Sequence, residues 1–255
     1  MKEYSILTIL MGNYDILHEL PFQNTNENVE FICVTDNKNL TSNTWTIVYD
    51  EDLDKDEYNG FDRTFLVRYN PFKYCNSNIC IRLDATILPL CDLQDLVSQF
   101  VEGNYDFGFC VHPSNMSLIN ELEVWANCRK CDQRQLQYDY ITNVIGYDIN
   151  KKGLIQNNIA IVKKSEITDE VHKGMINILY DCTDNEGHIN RLDQTLLTAF
   201  FYKNYDHLKV LPISMNMIKN GKIAQFFHHS NRKVMNMFHK LPNYIFNDEI
   251  VEAYE

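Results

Sequence analysis

The sequence predicts one α/β domain in which helices flank a central mixed sheet, and three observations lead to that prediction. Short apolar runs alternate with loops and helical patterns through the first half of the chain, which is typical of an α/β domain. The second half is richer in helical spacing but contains at least one more strand. The chain has 255 residues without an internal repeat, a low-complexity tract or a Gly/Pro/Ser linker, so nothing indicates a second domain.

Four strands and one helix are predicted in the first third of the chain. Each strand is a short apolar run that ends at turn residues or, for the fourth strand, at an aspartate. The helix is expected to stop before Pro71, because the residue that precedes a proline is pushed out of the helical region. The predicted strands are Tyr4–Leu10, Val29–Val34, Trp45–Tyr49 and Ile79–Asp84, and the predicted helix is Gly60–Tyr69.

Further elements follow from apolar spacing in the rest of the chain. Helical spacing, in which apolar residues recur three and four positions apart, is found in three segments, and three more short apolar runs predict strands. The predicted helices cover Leu93–Val101, Val171–Cys182 and Leu192–Phe200, and the predicted strands are Phe107–Val111, Ile159–Val162 and Val210–Leu211.

The charge balance argues against one class of partner. Lys and Arg number 23 and Asp and Glu number 35, which gives a formal net charge of −12. A protein that wraps DNA or RNA needs a basic face to displace counterions, so nucleic acid is not an expected partner. A local basic site for a single phosphate group is still compatible with this balance.

The cysteines and the apolar runs indicate a compartment. Eight cysteines are spread along the chain, mostly within apolar runs, which is typical of reduced, buried thiols in a cytosolic protein. Cys128 and Cys131 form one Cys-x-x-Cys, half of a zinc site or a redox pair, but no second pair has matching spacing. No run approaches the ~18 to 20 apolar residues of a membrane span, and the first ten residues do not resemble a signal peptide. We therefore expect a cytoplasmic protein without a membrane span, and contact with a membrane surface stays open.

The segment Ile81–Pro89 is the most informative for function. Its strand delivers Asp84 to the carboxyl end, where open α/β sheets bind their ligands. A carboxylate there can hold a hard divalent cation that also binds phosphate oxygens of a substrate. The alternative is an aspartate that caps the turn after the strand.

A cluster near the end of the sequence suits the same chemistry. His228, His229, Arg232 and Lys233 lie within six residues, after an apolar pair. Imidazoles are metal ligands, and Arg or Lys bind phosphate. The alternative is a surface loop with ordinary solvated charge.

Other candidates begin helices or end strands. Asp193 and Gln194 open a predicted helix, where they either stabilise the helix start or hold sugar hydroxyls in a cleft. His112 ends a predicted strand, and Glu121 follows on the next helix. Only nine glycines are present and no glycine-rich phosphate loop is found, so a metal and cationic side chains would have to bind phosphate.

Blocks in consistent order between Tyr4 and Tyr202 resemble one family. The early blocks are Met11–Asp15, Val29–Asn37, Trp45 and Ile81–Pro89, and the later ones are His112-Pro113, Glu121 with Glu123, Gly146-Tyr147, Gly153-Leu154 and Asp193-Gln194. Together they resemble a glycosyltransferase family long catalogued as a domain of unknown function. That family occurs in bacterial surface-polysaccharide gene sets and in plant Golgi proteins that act on wall polysaccharides.

The family is similar in turn to GT-A glycosyltransferases, especially to the retaining group that includes glycogenin-like enzymes. The resemblance implies a single GT-A-type (Rossmann-like) domain, with a nucleotide-sugar-binding half at 1–111, an acceptor half at 112–230 and a C-terminal extension at 231–255. It also implies Mn²⁺ (or Mg²⁺), held by Asp84 with one of His228 or His229. Asp84 matches the first position of the family's Asp-x-Asp, but Thr86 occupies the third, and a hydroxyl is a weaker ligand than a carboxylate.

The same resemblance assigns roles to further residues. It places Asp36 near the nucleoside, Arg63 or Arg68 near the phosphates, and Asn157 and Asn158 beside the sugar. The expected catalytic residues are Asp84, Asp193 and Gln194, and the expected substrate-binding residues are Asp36, Arg63, Arg68, Thr86, His112, Glu121, Asn157, Asn158, Arg232 and Lys233.

The function implied is transfer of a hexose from a nucleotide sugar, expected to be a UDP-sugar, to a glycan or lipid-linked saccharide acceptor in cell-surface polysaccharide synthesis. Retention follows from the likeness, with the leaving phosphate taking the acceptor proton, whereas inversion would need Asp193 or Glu121 as a general base. Two alternatives stay open. One is a catalytically inactive carbohydrate- or nucleotide-binding module of the same fold, and the other is a metal-dependent phosphoesterase or nucleotidyltransferase, which usually gathers several carboxylates.

Overall fold

The computed structural model describes residues 2–12, 15–53, 60–112, 116–129, 133–183, 193–213 and 224–226. Within these ranges, seven strands form one sheet and two short strands form a separate pair. The seven are β1 (Tyr4–Leu10), β2 (Val29–Thr35), β3 (Thr46–Tyr49), β4 (Ile79–Asp84), β6 (Phe107–Val111), β7 (Ile155–Lys163) and β8 (Val210–Ile213). The short pair is β5 (Ile87–Pro89) with β9 (Ala224–Phe226).

The sheet has the strand order β3-β2-β1-β4-β7-β6-β8 and is mixed. Strands β1 to β4 run parallel to one another, β7 runs antiparallel to both its neighbours β4 and β6, and β8 is parallel to β6. The carboxyl ends of six strands therefore meet at one edge, and the beginning of β7 joins them there.

The strand order reverses between β1 and β4. From β1 the chain adds β2 and β3 on one side and then returns to add β4 on the other side. In open α/β sheets such a switch point leaves a crevice outside the carboxyl ends of the strands, where ligands bind. The ends of β1 and β4 are therefore the expected place for a ligand site.

Helices cover both faces of the sheet and complete two hydrophobic cores. One core packs β1, β4 and β7 against residues of four helices and of a π-helical segment, and the other packs the opposite face against a single helix and the loops around Leu20 and Trp45. The helices are α1 (Gly60–Arg68), α2 (Gln94–Glu102), α3 (Leu118–Arg129), α4 (Gln133–Asp139), α5 (Glu166–Asp181) and α6 (Asp193–Asn204), with 3-10 turns at Glu51–Leu53 and Pro71–Lys73 and the π-helical segment at Tyr140–Ile145. Residues of α1, α3, α5 and α6 lie in the first core, and α2 lies in the second.

The structure confirms an α/β fold with a central mixed sheet flanked by helices, and most element bounds agree with prediction to within about two residues. The largest differences are at α5, which begins at Glu166 rather than Val171, at β7, which begins at Ile155 rather than Ile159, and at α6, which ends at Asn204 rather than Phe200. The strands β5 and β9 and the helix α4 with its π-helical continuation were not predicted, because each is too short to show a clear apolar period.

Two further expectations can be compared with the described residues. The six cysteines whose side chains are described are free thiols, and four of them are buried; the side chains of Cys128 and Cys131 lie outside the described set. No helix in the described ranges combines the length and the apolar character needed to cross a membrane.

Candidate active site

Asp84 lies at the carboxyl edge of the sheet, at the switch point. It ends β4 and pairs in register with Ile9 of the neighbouring β1. Cys80 faces the first core and Leu83 the second, so alternation places Arg82 and Asp84 on the face that α1 and α6 cover. The Asp84 side chain is 38% exposed, although the three residues before it are buried. A strand buried on both faces thus presents one carboxylate to solvent at its end.

Arg68, the last residue of α1, joins Asp84 to a second carboxylate. Its Nη2 donates to Asp84 Oδ1 at 2.6 Å, and its Nη1 donates to Asp193 Oδ2 at 2.7 Å. Burial opposes the charge on this guanidinium, but the attraction of Asp193 and Asp84 outweighs it and raises the pKa of Arg68 above its ordinary value. Arg68 therefore stays charged between two carboxylates, one buried and one facing solvent.

Asp193 is the buried end of this arrangement. It begins α6, and its Oδ2 accepts hydrogen bonds from Arg68, from the Tyr69 hydroxyl at 3.1 Å and from Asn157 Nδ2 at 2.8 Å. Both burial and the Asp193 charge raise the pKa of Tyr69 well above its ordinary value, so the phenol remains a hydrogen-bond donor. Three donors on one oxygen indicate that Asp193 anchors its neighbours.

Asn157 reaches this face through an irregularity in β7. The register with β6 shifts between Phe109 and Cys110, so the alternation of side chains along β7 reverses. As a result Ile155 and Ala160 lie in the same core although five residues separate them, a spacing that puts two residues of a regular strand on opposite faces. Asn157 then points with them, where its Nδ2 donates to the Tyr69 hydroxyl at 3.0 Å and its backbone N–H donates to Gln194 Oε1 at 3.3 Å.

A second ion pair lies where β1 and β2 end. Both oxygens of Asp36 accept a hydrogen bond from the backbone N–H of Gly12, at 3.0 and 2.9 Å, and Oδ2 also accepts from Arg63 Nη1 at 2.9 Å. Gly12 has a φ of +65°, which favours glycine, and a Cβ placed on it would lie 3.7 Å from the Cα of Gly60. The start of α1 thus packs directly on the end of β1, with Asp36 and Arg63 beside the switch point.

Asn158 lies on β7, one position beyond the last pair in the register of β4 with β7. The last pair in the register of β4 with β7 is Leu83 with Ile159, so the next positions along the two strands are Asp84 and Asn158. The Asn158 Oδ1 is enclosed and has no hydrogen-bond partner among the described residues. A buried acceptor of this kind is typically satisfied by water or a ligand.

The remaining described candidates, Thr86, His112 and Glu121, are mostly buried. Thr86 follows β4 in the turn to β5 and is mostly buried. His112 follows β6, which β7 separates from β4, so about 10 Å lies between the two strands. Its backbone N–H donates to the Leu154 carbonyl at 2.8 Å, and burial lowers the pKa of its imidazole to about 4. Glu121 is buried in the first turn of α3.

His228, His229, Arg232 and Lys233 lie outside the described residues. The last described strand, β9, ends two positions before His228, and its Phe226 pairs with Ile87, three residues after Asp84. Within the described ranges, no group of three His, Cys, Asp or Glu side chains is arranged to hold a metal ion. Mg²⁺ is commonly bound by one or two carboxylates together with substrate phosphates, and the solvent-facing carboxylate of Asp84 fits that mode of binding.

Sequence reasoning missed two residues of this site, Arg82 and Tyr69. Arg82 donates from Nη2 to Asn157 Oδ1, and the Tyr69 hydroxyl lies between Asn157 and Asp193. The signal for Arg82 was a charged residue inside a run that is otherwise apolar. Tyr69 carried no signal of its own, because a tyrosine close to the apolar run Phe65–Val67 is typical of an ordinary core residue.

Solved structures that are similar to this chain include two glycosyltransferases. No family model matches the sequence, and none of the curated proteins matches it. The apo form of mouse xyloside xylosyltransferase 1 is similar over 83% of this chain and 85% of its own, with 8% identity and a TM-score of 0.47. The apo structure of the bifunctional glycosyltransferase WbbM is similar over 83% of this chain and 39% of its own, with 10% identity and a TM-score of 0.48. Values this low leave the function to be argued from the residues of this chain.

Proposed function

We propose that this chain is a glycosyltransferase that moves a sugar from a nucleotide sugar to a glycan acceptor in cell-surface polysaccharide synthesis. The observation that carries the proposal is the solvent-facing carboxylate of Asp84, joined to the buried Arg68 at the switch point of the sheet. A crevice at that point is where open α/β sheets bind nucleotides. The ordered motifs that resemble the glycosyltransferase family support the same assignment.

The donor is proposed to lie along the ends of β2, β1 and β4. Asp36 accepts a hydrogen bond from the Gly12 N–H and holds Arg63, and this pair would face the nucleoside and the first phosphate. Arg68 would face the second phosphate. Guanidinium groups suit this task because their planar array of donors matches phosphate oxygens. A UDP-sugar is the proposed donor class.

The transferred sugar is proposed to lie over Asp84, Asn158 and Gln194. The enclosed Asn158 Oδ1 can accept a hydrogen bond from a sugar hydroxyl, which would satisfy it. Gln194 has its Oε1 bound to the Asn157 N–H, so its amide nitrogen is the group left to face the sugar. Asn157 is fully engaged within the protein, and we assign it to holding the site rather than to touching sugar.

A divalent cation, Mn²⁺ or Mg²⁺, forms a separate part of the proposal. Asp84 with His228 or His229 would hold it, and when bound it would neutralise charge on the departing diphosphate. Lys233 and Arg232 are proposed to add positive charge on the same side, and Thr86 to support Asp84. His112 and Glu121 are proposed to lie on the acceptor side, in the half from 112 to 230.

Retention of configuration is the proposed outcome. A route that inverts needs a carboxylate base beside the acceptor hydroxyl. Glu121 is buried, and one oxygen of Asp193 already accepts three hydrogen bonds, so both are poorly placed to take a proton. A route with front-face attack, in which the leaving phosphate takes the acceptor proton, requires neither residue.

The test is a panel of nucleotide sugars with Mn²⁺ or Mg²⁺, assayed for transfer and for slow donor hydrolysis, with wild type and Asp84→Asn. The variant keeps the side-chain shape but removes the negative charge, which would stabilise the positive charge that develops on the sugar in the transition state. We therefore expect the rate of transfer to fall about a hundredfold or more. Asp52→Asn is the matched control, because Asp52 is 77% exposed and pairs with Lys73 on the surface. Equal activity of the Asp84→Asn variant and wild type would overturn the assignment.

The same panel distinguishes the two alternatives. Phosphate release that occurs without a sugar acceptor, and without formation of a glycosidic bond, would indicate a phosphoesterase or nucleotidyltransferase. An inactive binding module of the same fold would bind without turnover. A nucleotide present at about 100 times its Kd stabilises the folded state by about 2.7 kcal/mol, so its binding is visible as a higher melting temperature.

A further inference from the structure

Arg82 is a buried cation that contacts two different elements of the candidate site. It lies on β4, two residues before Asp84 and on the same face, and it is 4% exposed. Its Nη1 donates to the backbone carbonyl of Arg68 at 2.6 Å, and its Nη2 donates to Asn157 Oδ1. Its guanidinium also lies over the ring of Tyr69, 5.7 Å from the centroid.

Burying the charge of Arg82 costs desolvation free energy, which other groups must offset. Among the described residues it forms no ion pair with a carboxylate at contact distance. Burial and the nearby charge of Arg68 lower the pKa of Arg82 to about 10. The group that receives its Nη1 is the carbonyl of the last residue of α1, and the carboxyl end of a helix carries partial negative charge. A helix end and an amide oxygen thus stand in for the missing counterion.

The bond to Asn157 fixes which way its amide points. Because Asn157 Oδ1 accepts from Arg82, the amide nitrogen must face the other way, where it donates to the Tyr69 hydroxyl and to Asp193. Without Arg82 the amide could rotate, and Asp193 would lose one of its three donors. The irregular part of β7 would also lose its tie to β4.

We propose that Arg82 is a positioning residue of the candidate site, one that holds the end of α1 with one nitrogen and the irregular part of β7 with the other. It acts through Arg68, which reaches Asp84, and through Asn157, which reaches Asp193. The inference rests on the proposed function, since the site it orders is the one assigned there to the nucleotide sugar. It adds a residue that touches neither donor nor acceptor but sets the geometry of those that do.

The first test compares Arg82→Met and Arg82→Lys with a buried control. A displacement of about 1 Å in a reacting group can cost about a hundredfold in rate, so we expect kcat of Arg82→Met to fall by that order with a smaller change in donor KM. Arg82→Lys keeps the charge but cannot span both acceptors, and we expect partial recovery. Ile81→Val, one residue away on the opposite face, lowers the melting temperature through packing alone and should leave kcat close to wild type. A loss in Arg82→Met no larger than that of Ile81→Val would overturn the proposal.

The second test asks whether Arg82 and Asn157 act together. If Arg82 works through the amide, Asn157→Ala removes part of the same effect, and the double variant should lose far less kcat than the product of the two single losses. Losses that multiply would contradict the proposal.

The third test does not depend on activity, which separates the two possible failures. In Arg82→Met, backbone amides at 155–158 and 66–70 should exchange with deuterium faster than in wild type, while those of β6 should not change. Unchanged exchange at 155–158 and 66–70 would overturn the positioning role even if wild type transfers sugar. If wild type transfers no sugar but the exchange changes as expected, the proposed function fails and the structural role of Arg82 stands.

Discussion

At the scale of single residues, the candidate site is built from charges that are paired inside the protein. Arg68 is 11% exposed and bridges Asp193, at 6%, and Asp84, at 38%. Removing one partner of a buried ion pair leaves an uncompensated charge, which costs far more than the intact pair contributes. The stability of this centre therefore depends on all three charged groups being present, because each one compensates the buried charge of its neighbour.

Replacing Arg68 with methionine tests this dependence. We expect Arg68→Met to lower the free energy of unfolding by about 3 to 5 kcal/mol, since Asp193 would stay buried without its cation. Urea titration followed by circular dichroism measures the change. Arg134→Met is a matched control, because Arg134 pairs with Glu123 at 3.2 Å but the two side chains are 44% and 52% exposed. Such a surface pair contributes about 0 to 1 kcal/mol, and equal losses in both variants would contradict the prediction.

His172 predicts a pH dependence of stability. It lies buried in α5 beside the rings of Tyr69 and Phe107, and burial together with Arg82 lowers its pKa from 6.5 to about 3. As the pH falls below 6.5 the unfolded chain takes up this proton before the folded protein does, so the free energy of unfolding falls through that window by about 1.4 kcal/mol per pH unit. Above pH 6.5 the contribution is fully present.

The measurement for His172 is a series of urea titrations between pH 7 and pH 4 with two variants. His172→Leu should show a shallower decrease than wild type, because it removes one group that the unfolded state protonates first. His207→Leu serves as the control, since the His207 side chain is 64% exposed. An identical slope for wild type and His172→Leu would show that His172 does not contribute.

At the scale of elements, the sheet was predictable and its irregularities were not. Strands covered on both faces are near-continuous apolar runs, and β1 is buried at every position, so its bounds could be predicted to the residue. The register shift in β7 depends on β6, whose paired residues lie about fifty positions earlier in the sequence, and nothing within β7 itself marks it. The pairing of β5 with β9 joins segments of three residues that are distant in sequence, a contact that local patterns do not contain.

The residues of the candidate site also fall into a predictable part and an unpredictable part. The place of Asp84 could be predicted because open α/β sheets bind ligands at the carboxyl ends of their strands, and a polar residue at such an end stands out in the sequence, whereas Asp36 was expected only from the family resemblance. Arg82 was passed over because its alternation with Ile81 and Leu83 is also typical of a strand with one polar face. Helices α1, α5 and α6 cover that face, so the residue is buried, and only the folded chain shows which partners it reaches.

At the scale of the whole molecule, the site is assembled from elements that meet only on folding. Arg68, Asp84, Asn157 and Asp193 come from α1, β4, β7 and α6, and Asp36 directly follows β2. By contrast, all seven strands of the main sheet and all six described α-helices lie between Tyr4 and Ile213. The main core therefore does not depend on β9, although the histidines and cations proposed to complete the site follow that strand.

Two shortened chains separate folding from the proposed chemistry. One ends at Phe226 and keeps β9, and the other ends at Ile213 and lacks it. Both keep the main sheet and its helices, so we expect single cooperative urea transitions, with the shorter chain melting only slightly lower because a two-stranded pair is marginal on its own. The chain that ends at Phe226 should bind donor weakly and transfer no sugar, since it lacks His228, His229, Arg232 and Lys233. The full chain with both His228→Ala and His229→Ala lacks only the two imidazoles. Its comparison with the chain that ends at Phe226 separates the effect of losing the imidazoles from the effect of losing the whole segment. Full transfer activity in the chain that ends at Phe226 would remove those four residues from the site and leave the chemistry to Asp84 and Arg68.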